Sequence, residues 1–191
     1  MIIDLLWKDL NKYMSEINLN KLNIKLSEFK VNDLIETKFI PSKIKTYIKE
    51  KIRYKYTVKY NYLNNVITLE YYSENNNITK QVLEIIIRRI IFMMKISNIY
   101  KNLNVQIYDT PFKKKFNCNN SHKCGNLNHN NVNSGLSYAN NVIIFRKEEY
   151  LKLLVHEVIH ALDIDYKYET YDDQKPLLDL FNVNTENLLI N

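Results

Sequence analysis

Two histidines and a glutamate stand together at residues 156–160, where the sequence reads His-Glu-Val-Ile-His. The apolar residues around them recur at helical spacing and predict a helix that begins near residue 146 and ends near residue 162. In a helix, positions i and i+4 lie on one face, so His156 and His160 can reach the same metal ion at about 2.0–2.1 Å. Glu157 is rotated from them by about 100°. Its carboxylate can therefore stand beside the metal and take a proton from a bound water.

The pattern is specific for a chain of this composition. There are 4 histidines among 191 residues, and chance would produce such a motif on the order of 0.005 times per chain. The helix is largely apolar, so the motif is expected to be partly buried, and buried imidazole and carboxylate groups require partners. A metal ion satisfies all three side chains. The alternative interpretation is a pair of histidines that binds no metal. It does not explain why both histidines lie beside a glutamate within one helical turn.

The elements that must position this motif predict a small α+β fold. A long apolar helix is expected over residues 79–100. It is followed by short strand patterns at residues 103–108, 134–138 and 142–145. Together with the motif helix, these elements predict a catalytic core over residues 76–191.

A second region, residues 1–75, is expected to precede this core. The sequence shows no firm boundary between the two, and a separate N-terminal subdomain is an open alternative. Residues 2–17 have the spacing of an amphipathic helix. Residues 52–60 and 66–72 alternate between apolar and polar side chains and predict a β-hairpin. Residues 18–50 show no pattern that predicts an element.

The composition excludes several classes of protein. The chain has 2 glycines, Gly125 and Gly135, so neither a dinucleotide-binding fingerprint nor a P-loop can be written. No apolar run reaches the roughly 18 residues that a membrane span requires. The N-terminus lacks the features of a secretory signal, and 2 cysteines do not make a disulfide scaffold. A cytoplasmic location without membrane association is therefore expected.

The positive net charge can be explained without a polyanionic binding partner. The net charge is +6 and the isoelectric point about 9.1. The basic residues are spread along the chain, and the abundance of Asn, Lys, Ile and Tyr indicates an AT-rich coding bias. Nucleic acid is therefore an unlikely partner, and a nucleic-acid-binding protein is the weakest of the three functional hypotheses.

The segment from His156 to Asp165 resembles the active-site helix of the zincin metallopeptidases, and the order of the preceding elements fits the zincin core. The stretches 132–137 and 142–149, followed by the motif, also resemble uncharacterised metalloprotease-like proteins of large cytoplasmic DNA viruses. The resemblance covers about residues 80–165. It implies a viral zinc metallopeptidase, acting on a peptide or protein substrate in the host cytoplasm or the virion.

The resemblance also implies a single Zn²⁺ held by His156, His160 and a third protein ligand, with water as the fourth. Glu157 would be the general base. In zincins with an acidic third ligand, that residue lies on a later helix, which favours Glu186 over Asp179. Glu186 follows a threonine suited to an N-cap, so it would lie in the first turn of such a helix.

Two other sources of the third ligand stay open. In the matrixin-like pattern, Tyr166 stands where a histidine belongs and Asp163 stands where a glycine belongs. Without that glycine the chain is expected to continue as helix, and Tyr166 would be an unusual ligand. Alternatively, the ligand lies beyond residue 191, since the chain ends on a predicted helix start, and the catalytic core would then be incomplete.

Three further segments have weaker interpretations. Residues 134–138 would form the edge strand of a zincin cleft, where Gly135 lets a substrate backbone approach, or equally an ordinary hairpin strand. Residues 146–149 are expected to be the solvated first turn of the motif helix. Four residues of a polar loop could hold a second zinc, although chance scatter explains their spacing better: Cys118, His122, Cys124 and His129.

Two functional hypotheses therefore lead. The first is a zinc-dependent peptidase that uses His156, His160 and Glu157. The second is a non-catalytic zincin-like interaction module whose metal site is incomplete. The zinc content of the folded protein distinguishes between them.

Overall fold

A computed structural model describes residues 12, 17, 19, 22–34, 37–114 and 133–167. These residues form a mixed sheet flanked by helices, which confirms the α+β class. The strands are β1 (Ile24–Glu28), β2 (Tyr54–Tyr62), β3 (Asn65–Ser73), β4 (Leu103–Tyr108), β5 (Gly135–Tyr138) and β6 (Asn141–Ile144). The helices are α1 (Ser42–Lys51), α2 (Lys80–Ser97), α3 (Tyr150–Ala161) and the one-turn α4 (Ile164–Lys167).

The sheet has the strand order β1-β2-β3-β4-β6-β5. The predicted hairpin is confirmed as β2 and β3, which pair antiparallel through a turn in which Leu63 and Asn64 both have positive φ angles. Helix α2 then crosses over so that β4 lies parallel to β3, and β6 lies parallel to β4. β5 pairs antiparallel with β6 and forms one edge of the sheet.

Helices α2 and α3 cover one face of the sheet and enclose the main core. Alternate strand residues such as Val58, Leu69 and Val105 point toward this core and are fully buried. Helix α2 contributes a stripe of buried side chains, among them Leu83 and Ile90, because its apolar residues recur at helical spacing. The helix that carries the H-E-x-x-H motif is thus fixed against both the sheet and α2.

The opposite face of the sheet is covered in part by α1. Ile44 and Ile48 of this helix are buried in a second apolar cluster with Phe145 and a tyrosine pair. The rings of that pair, Tyr72 and Tyr108, are stacked with their centroids 4.6 Å apart. Helix α1 therefore closes the side of the sheet that α2 and α3 leave open.

The part of this face beyond α1 is polar and is organised around Glu70. The carboxylate of Glu70 accepts hydrogen bonds from Tyr72 Oη at 2.7 Å and Gln106 Nε2 at 2.8 Å, and it lies 2.7 Å from Lys55 Nζ. Burial alone raises the pKa of Glu70. The hydrogen bonds from these three groups and the charge of Lys55 outweigh that effect, so the pKa lies below its ordinary value of 4.5.

The motif helix begins later than the sequence predicts. Helix α3 starts at Tyr150, after Glu149, whose φ angle of 58° is left-handed. The prediction of a solvated first turn at residues 146–149 is wrong for Arg146, which is buried and donates hydrogen bonds to the carbonyls of Asn133 and Lys113. A buried guanidinium needs hydrogen-bond acceptors. Because Arg146 precedes the helix, its guanidinium can reach the two carbonyls that serve as acceptors.

The N-terminal region contains more structure than its sequence predicts. Residues 18–50 include β1, a 3₁₀ turn at Val31–Asp33 and α1. The predicted helix over residues 2–17 falls almost entirely outside the described residues. The division of the chain at residue 75 stays a prediction, although β3 and β4 on either side of it pair in one sheet.

In the part of the chain that the structure describes, no helix combines the length and the apolar character that a bilayer crossing needs.

Candidate metal and catalytic site

Helix α3 presents the three motif side chains in two directions. Leu154, Val158 and Ala161 lie on its buried side and hold it in the main core. His156 is exposed on the cleft side of the helix, whereas Glu157 is directed toward the sheet and only 6% exposed. The helical periodicity that fixes the buried side therefore also fixes where the imidazoles and the carboxylate stand.

The two imidazoles face each other in a geometry that suits a shared metal ion. His156 Nε2 and His160 Nε2 lie 3.2 Å apart, and the two rings are nearly perpendicular at 88°. Two tetrahedral zinc ligands with bonds of about 2.0–2.1 Å have their nitrogens about 3.3–3.4 Å apart. The observed separation matches this value closely, so the residues present fit a zinc ion.

Asp165 provides the second partner of His160. Its Oδ2 is hydrogen-bonded to His160 Nδ1. A neutral imidazole that donates from Nδ1 keeps an unprotonated Nε2, which is the form that binds a metal. Carboxylate–histidine pairs of this kind orient a ligating ring and increase its basicity. The sequence did not single out Asp165 for this role.

The turn at Asp163 brings Asp165 to the histidine. Asp163 adopts a left-handed conformation with φ 55°, and its N–H donates to His160 O at 2.9 Å. The prediction that the chain continues as helix here is wrong. Aspartate is among the residues that tolerate the left-handed region, so it can replace the expected glycine. The side chain of Asp163 also pairs with Lys101 of the loop before β4.

Glu157 has the environment of a general base. Burial raises its pKa, while a hydrogen bond with Ser137 and the nearby charges of His156 and His160 partly oppose the shift. The net pKa lies above the ordinary value of a glutamate. A base with a pKa closer to neutral accepts a proton from water more effectively at neutral pH.

Gly135 allows β5 to pack closely against α3. A Cβ atom at this position would lie 2.9 Å from Ile143 O, 3.0 Å from Leu153 Cδ2 and 3.3 Å from Glu157 Oε1. These contacts give Gly135 a role that the sequence did not indicate, because they involve the motif helix rather than a substrate. The segment forms a hairpin with β6 and lies at one edge of the sheet, so both descriptions of the strand fit, and its role as the edge of a substrate cleft stays a prediction.

An elongated cleft runs along β5 and past the motif side chains. One part has a volume of about 810 Å³ and is lined by His156, Glu157 and His160 together with residues of β5. A second part of about 340 Å³ extends toward the start of α3. The two parts share Gly135, His156 and Glu157, so Glu157 lies where they meet.

The third metal ligand is not identified among the described residues. Within the described ranges, no group of three or more His, Cys, Asp or Glu side chains is placed to hold an ion. Glu186 and Asp179 lie outside these ranges, and the side chain of Tyr166 is not described. The Cys118–His129 loop segment, considered for a second zinc, also lies outside them.

Comparisons with protein-family models, with curated proteins and with solved structures find no match to this chain. Its function must therefore be inferred from the geometry of the site.

Proposed function

We propose that this protein is a zinc-dependent peptidase with a zincin-like site at the His156–His160 turn of α3. The observation that carries the proposal is the convergence of His156 Nε2 and His160 Nε2 at 3.2 Å beside the buried carboxylate of Glu157. His156 and His160 would hold the zinc ion, with Glu186 proposed as the third ligand. Bound zinc would supply Lewis-acid polarisation of the scissile carbonyl and of a water molecule.

The residues of the chain then have distinct tasks. Glu157 takes the proton of the attacking water and returns it to the leaving amine, so one carboxylate acts first as a base and then as an acid. Asp165 holds the His160 ring in the orientation and tautomer that leave Nε2 available. Ser137, in the edge strand β5, hydrogen-bonds to Glu157 and would hold its carboxylate in place.

The edge strand β5 supports a peptide as the substrate class. It lies at the end of the sheet and lines the cleft next to the motif side chains. An extended peptide can add to such an edge through backbone hydrogen bonds, which recognise the main chain independently of sequence. A peptide bound in this way would have its scissile bond beside Glu157.

The test is a comparison of Glu157→Gln with His156→Ala and with the wild-type protein. Glu157→Gln should lower peptide turnover by about 10²–10⁴-fold while zinc stays bound, because the base is lost and the ligands remain. His156→Ala should lose both zinc and turnover. Turnover is followed with a quenched fluorescent peptide library, and zinc by elemental analysis of the dialysed protein.

Glu84→Gln is the matched control, because Glu84 pairs with Lys80 on α2, outside the residues that line the cleft. It should leave both readings unchanged. Full turnover in Glu157→Gln would reject the assigned role of that residue.

A non-catalytic interaction module is the second candidate. The observation that favours it is Tyr166 at the position where the matrixin-like pattern has a histidine. A folded sample that binds negligible zinc after incubation with excess metal would support the module, and near-stoichiometric zinc would support the peptidase.

A further inference from the structure

The cleft differs in chemical character on the two sides of Glu157. The smaller part is lined by four charged residues near the start of α3, which are Lys114, Glu148, Glu149 and Lys152. In the larger part, the described lining is uncharged apart from Asp163 and the three motif residues. Its apolar members are Phe39, Leu136, Tyr138, Ala139 and Ala161. A peptide in the cleft would therefore meet an apolar environment on one side of the scissile bond and a charged one on the other.

Phe39 belongs to the N-terminal region, for which the sequence indicated no role. It lies in the turn before α1 and lines the same cavity as His156 and His160. Phe39 as a whole residue is 45% exposed, whereas the next residue, Ile40, is 2% exposed and packs in the cluster beneath α1. The Phe39 N–H also donates to Thr37 Oγ1 at 3.3 Å. The backbone is thus anchored while nearly half of the residue stays exposed, and Lys38 Nζ lies over the ring at 5.5 Å from its centroid.

Tyr138 forms the matching apolar surface on the edge strand. Its side chain is 46% exposed and lines the same cavity as Phe39. Single exposed apolar residues are common on protein surfaces and require no explanation. Two large ones that line a cavity with a candidate catalytic carboxylate have the composition of a ligand-binding pocket.

The direction of β5 assigns this pocket to one side of the scissile bond. The strand runs from Gly135 beside Glu157 toward Tyr138 and Ala139. Antiparallel pairing is slightly more stable per residue than parallel pairing, so an added peptide runs in the opposite direction to β5. Its residues on the amino side of the scissile bond then lie against Tyr138 and Phe39.

We infer that the protein selects peptides with a large apolar side chain on the amino side of the scissile bond, and that Phe39 is a specificity-determining residue for this choice. The inference rests on the proposed peptidase function. It assigns to the N-terminal region a direct part in substrate recognition through a ring that contacts the substrate side chain.

The test uses two peptides of identical sequence that differ at one position on the amino side of the cleavage site, with phenylalanine or serine. Wild-type protein should prefer the phenylalanine peptide by at least about tenfold in kcat/KM, because a single methylene group in an apolar pocket already changes this ratio by about 10–200-fold. Phe39→Ala should reduce this preference about tenfold, and Phe39→Leu should restore most of it.

Binding gives a reading that does not depend on catalysis. Fluorescence anisotropy with labelled peptides and the Glu157→Gln protein should show tighter binding of the phenylalanine peptide, and Phe39→Ala in that background should remove the difference. Val31→Ala is the matched control, since Val31 is 51% exposed on a surface outside this cleft.

The outcomes separate the two proposals. A wild-type protein that cleaves both peptides equally, or a Phe39→Ala protein with unchanged preference, would overturn the specificity inference and leave the peptidase intact. Failure to cleave any peptide, combined with Phe39-dependent binding of the phenylalanine peptide, would reject catalysis and retain the pocket. Equal binding of both peptides by the Glu157→Gln protein would also overturn the inference.

Discussion

Replacement of Asp165 by asparagine tests whether the pair formed by His160 and Asp165 serves a metal. The substitution keeps the size of the side chain and removes its negative charge. Asparagine can still accept a hydrogen bond from His160 Nδ1, so the fold around α4 should be preserved. The lost quantity is the charge that increases the basicity of His160 Nε2 toward a cation.

The size of the effect follows from the exposure of the pair. A hydrogen bond to a charged group contributes about 1.5–3 kcal/mol. The His160 and Asp165 side chains are 39% and 26% exposed, so solvent screens the interaction and favours the lower part of that range. With 1.4 kcal/mol for each factor of ten, zinc should bind about 10–30-fold more weakly in Asp165→Asn.

The assay is a competition titration at pH 7 in which the protein and a chromophoric chelator share limiting zinc. Asp163→Asn is the control, because Asp163 lies two residues away, is 62% exposed and pairs with Lys101 rather than with a histidine. It should leave zinc affinity unchanged. Equal zinc affinity of Asp165→Asn and wild-type protein, within about twofold, would refute the assignment of Asp165 to the metal site.

Two further predictions concern the packing that positions the site. Gly135→Ala should lower the free energy of unfolding by about 1–3 kcal/mol, because its Cβ would lie 2.9 Å from Ile143 O; thermal unfolding measures the loss. Ser137→Ala, in the same strand, adds no atom and should cost less, so an equal loss would contradict the steric reason. Glu70→Gln should lower the free energy of unfolding at pH 7 by about 1.5–3 kcal/mol. Because folding depresses the pKa of Glu70, its contribution is complete above pH 4.5 and is lost as the pH falls through the folded-state pKa. Urea titrations of both proteins from pH 7 to pH 3 should show the difference shrink, and a constant difference would rule out this origin.

The helices and strands around the site could be predicted where the apolar residues of a segment recur at one regular spacing. The residues of α2, β2, β3 and β4 repeat at helical or alternating spacing because one side of each faces the core. The H-E-x-x-H spacing likewise predicts the approach of the two imidazoles, since i and i+4 are neighbours on any helix. These predictions depend only on local geometry.

The contacts of Asp165 and Phe39 could not be predicted, because they arise from tertiary structure. Asp165 reaches His160 only because Asp163 adopts a left-handed conformation, and a pattern that expects glycine at this position predicts the opposite. Phe39 lies far from the motif in sequence and reaches the cleft through the packing of α1 on the sheet. The prediction for Arg146 was wrong for a related reason, since the carbonyls that accept its hydrogen bonds, those of Asn133 and Lys113, lie far from it in the sequence.

The two ends of the sheet differ in their protection against unwanted pairing. The edge strand β1 contains the exposed charged residues Lys25 and Glu28 beside the exposed Leu26, and charges of this kind discourage a second chain from adding to the sheet. The sequence of β5 is Gly-Leu-Ser-Tyr, with no charge to repel an incoming strand. If this edge binds a peptide as proposed, the same strand of another molecule would compete for it. We therefore expect the protein to self-associate through β5 at high concentration. A peptide that binds to the same edge should reverse this association.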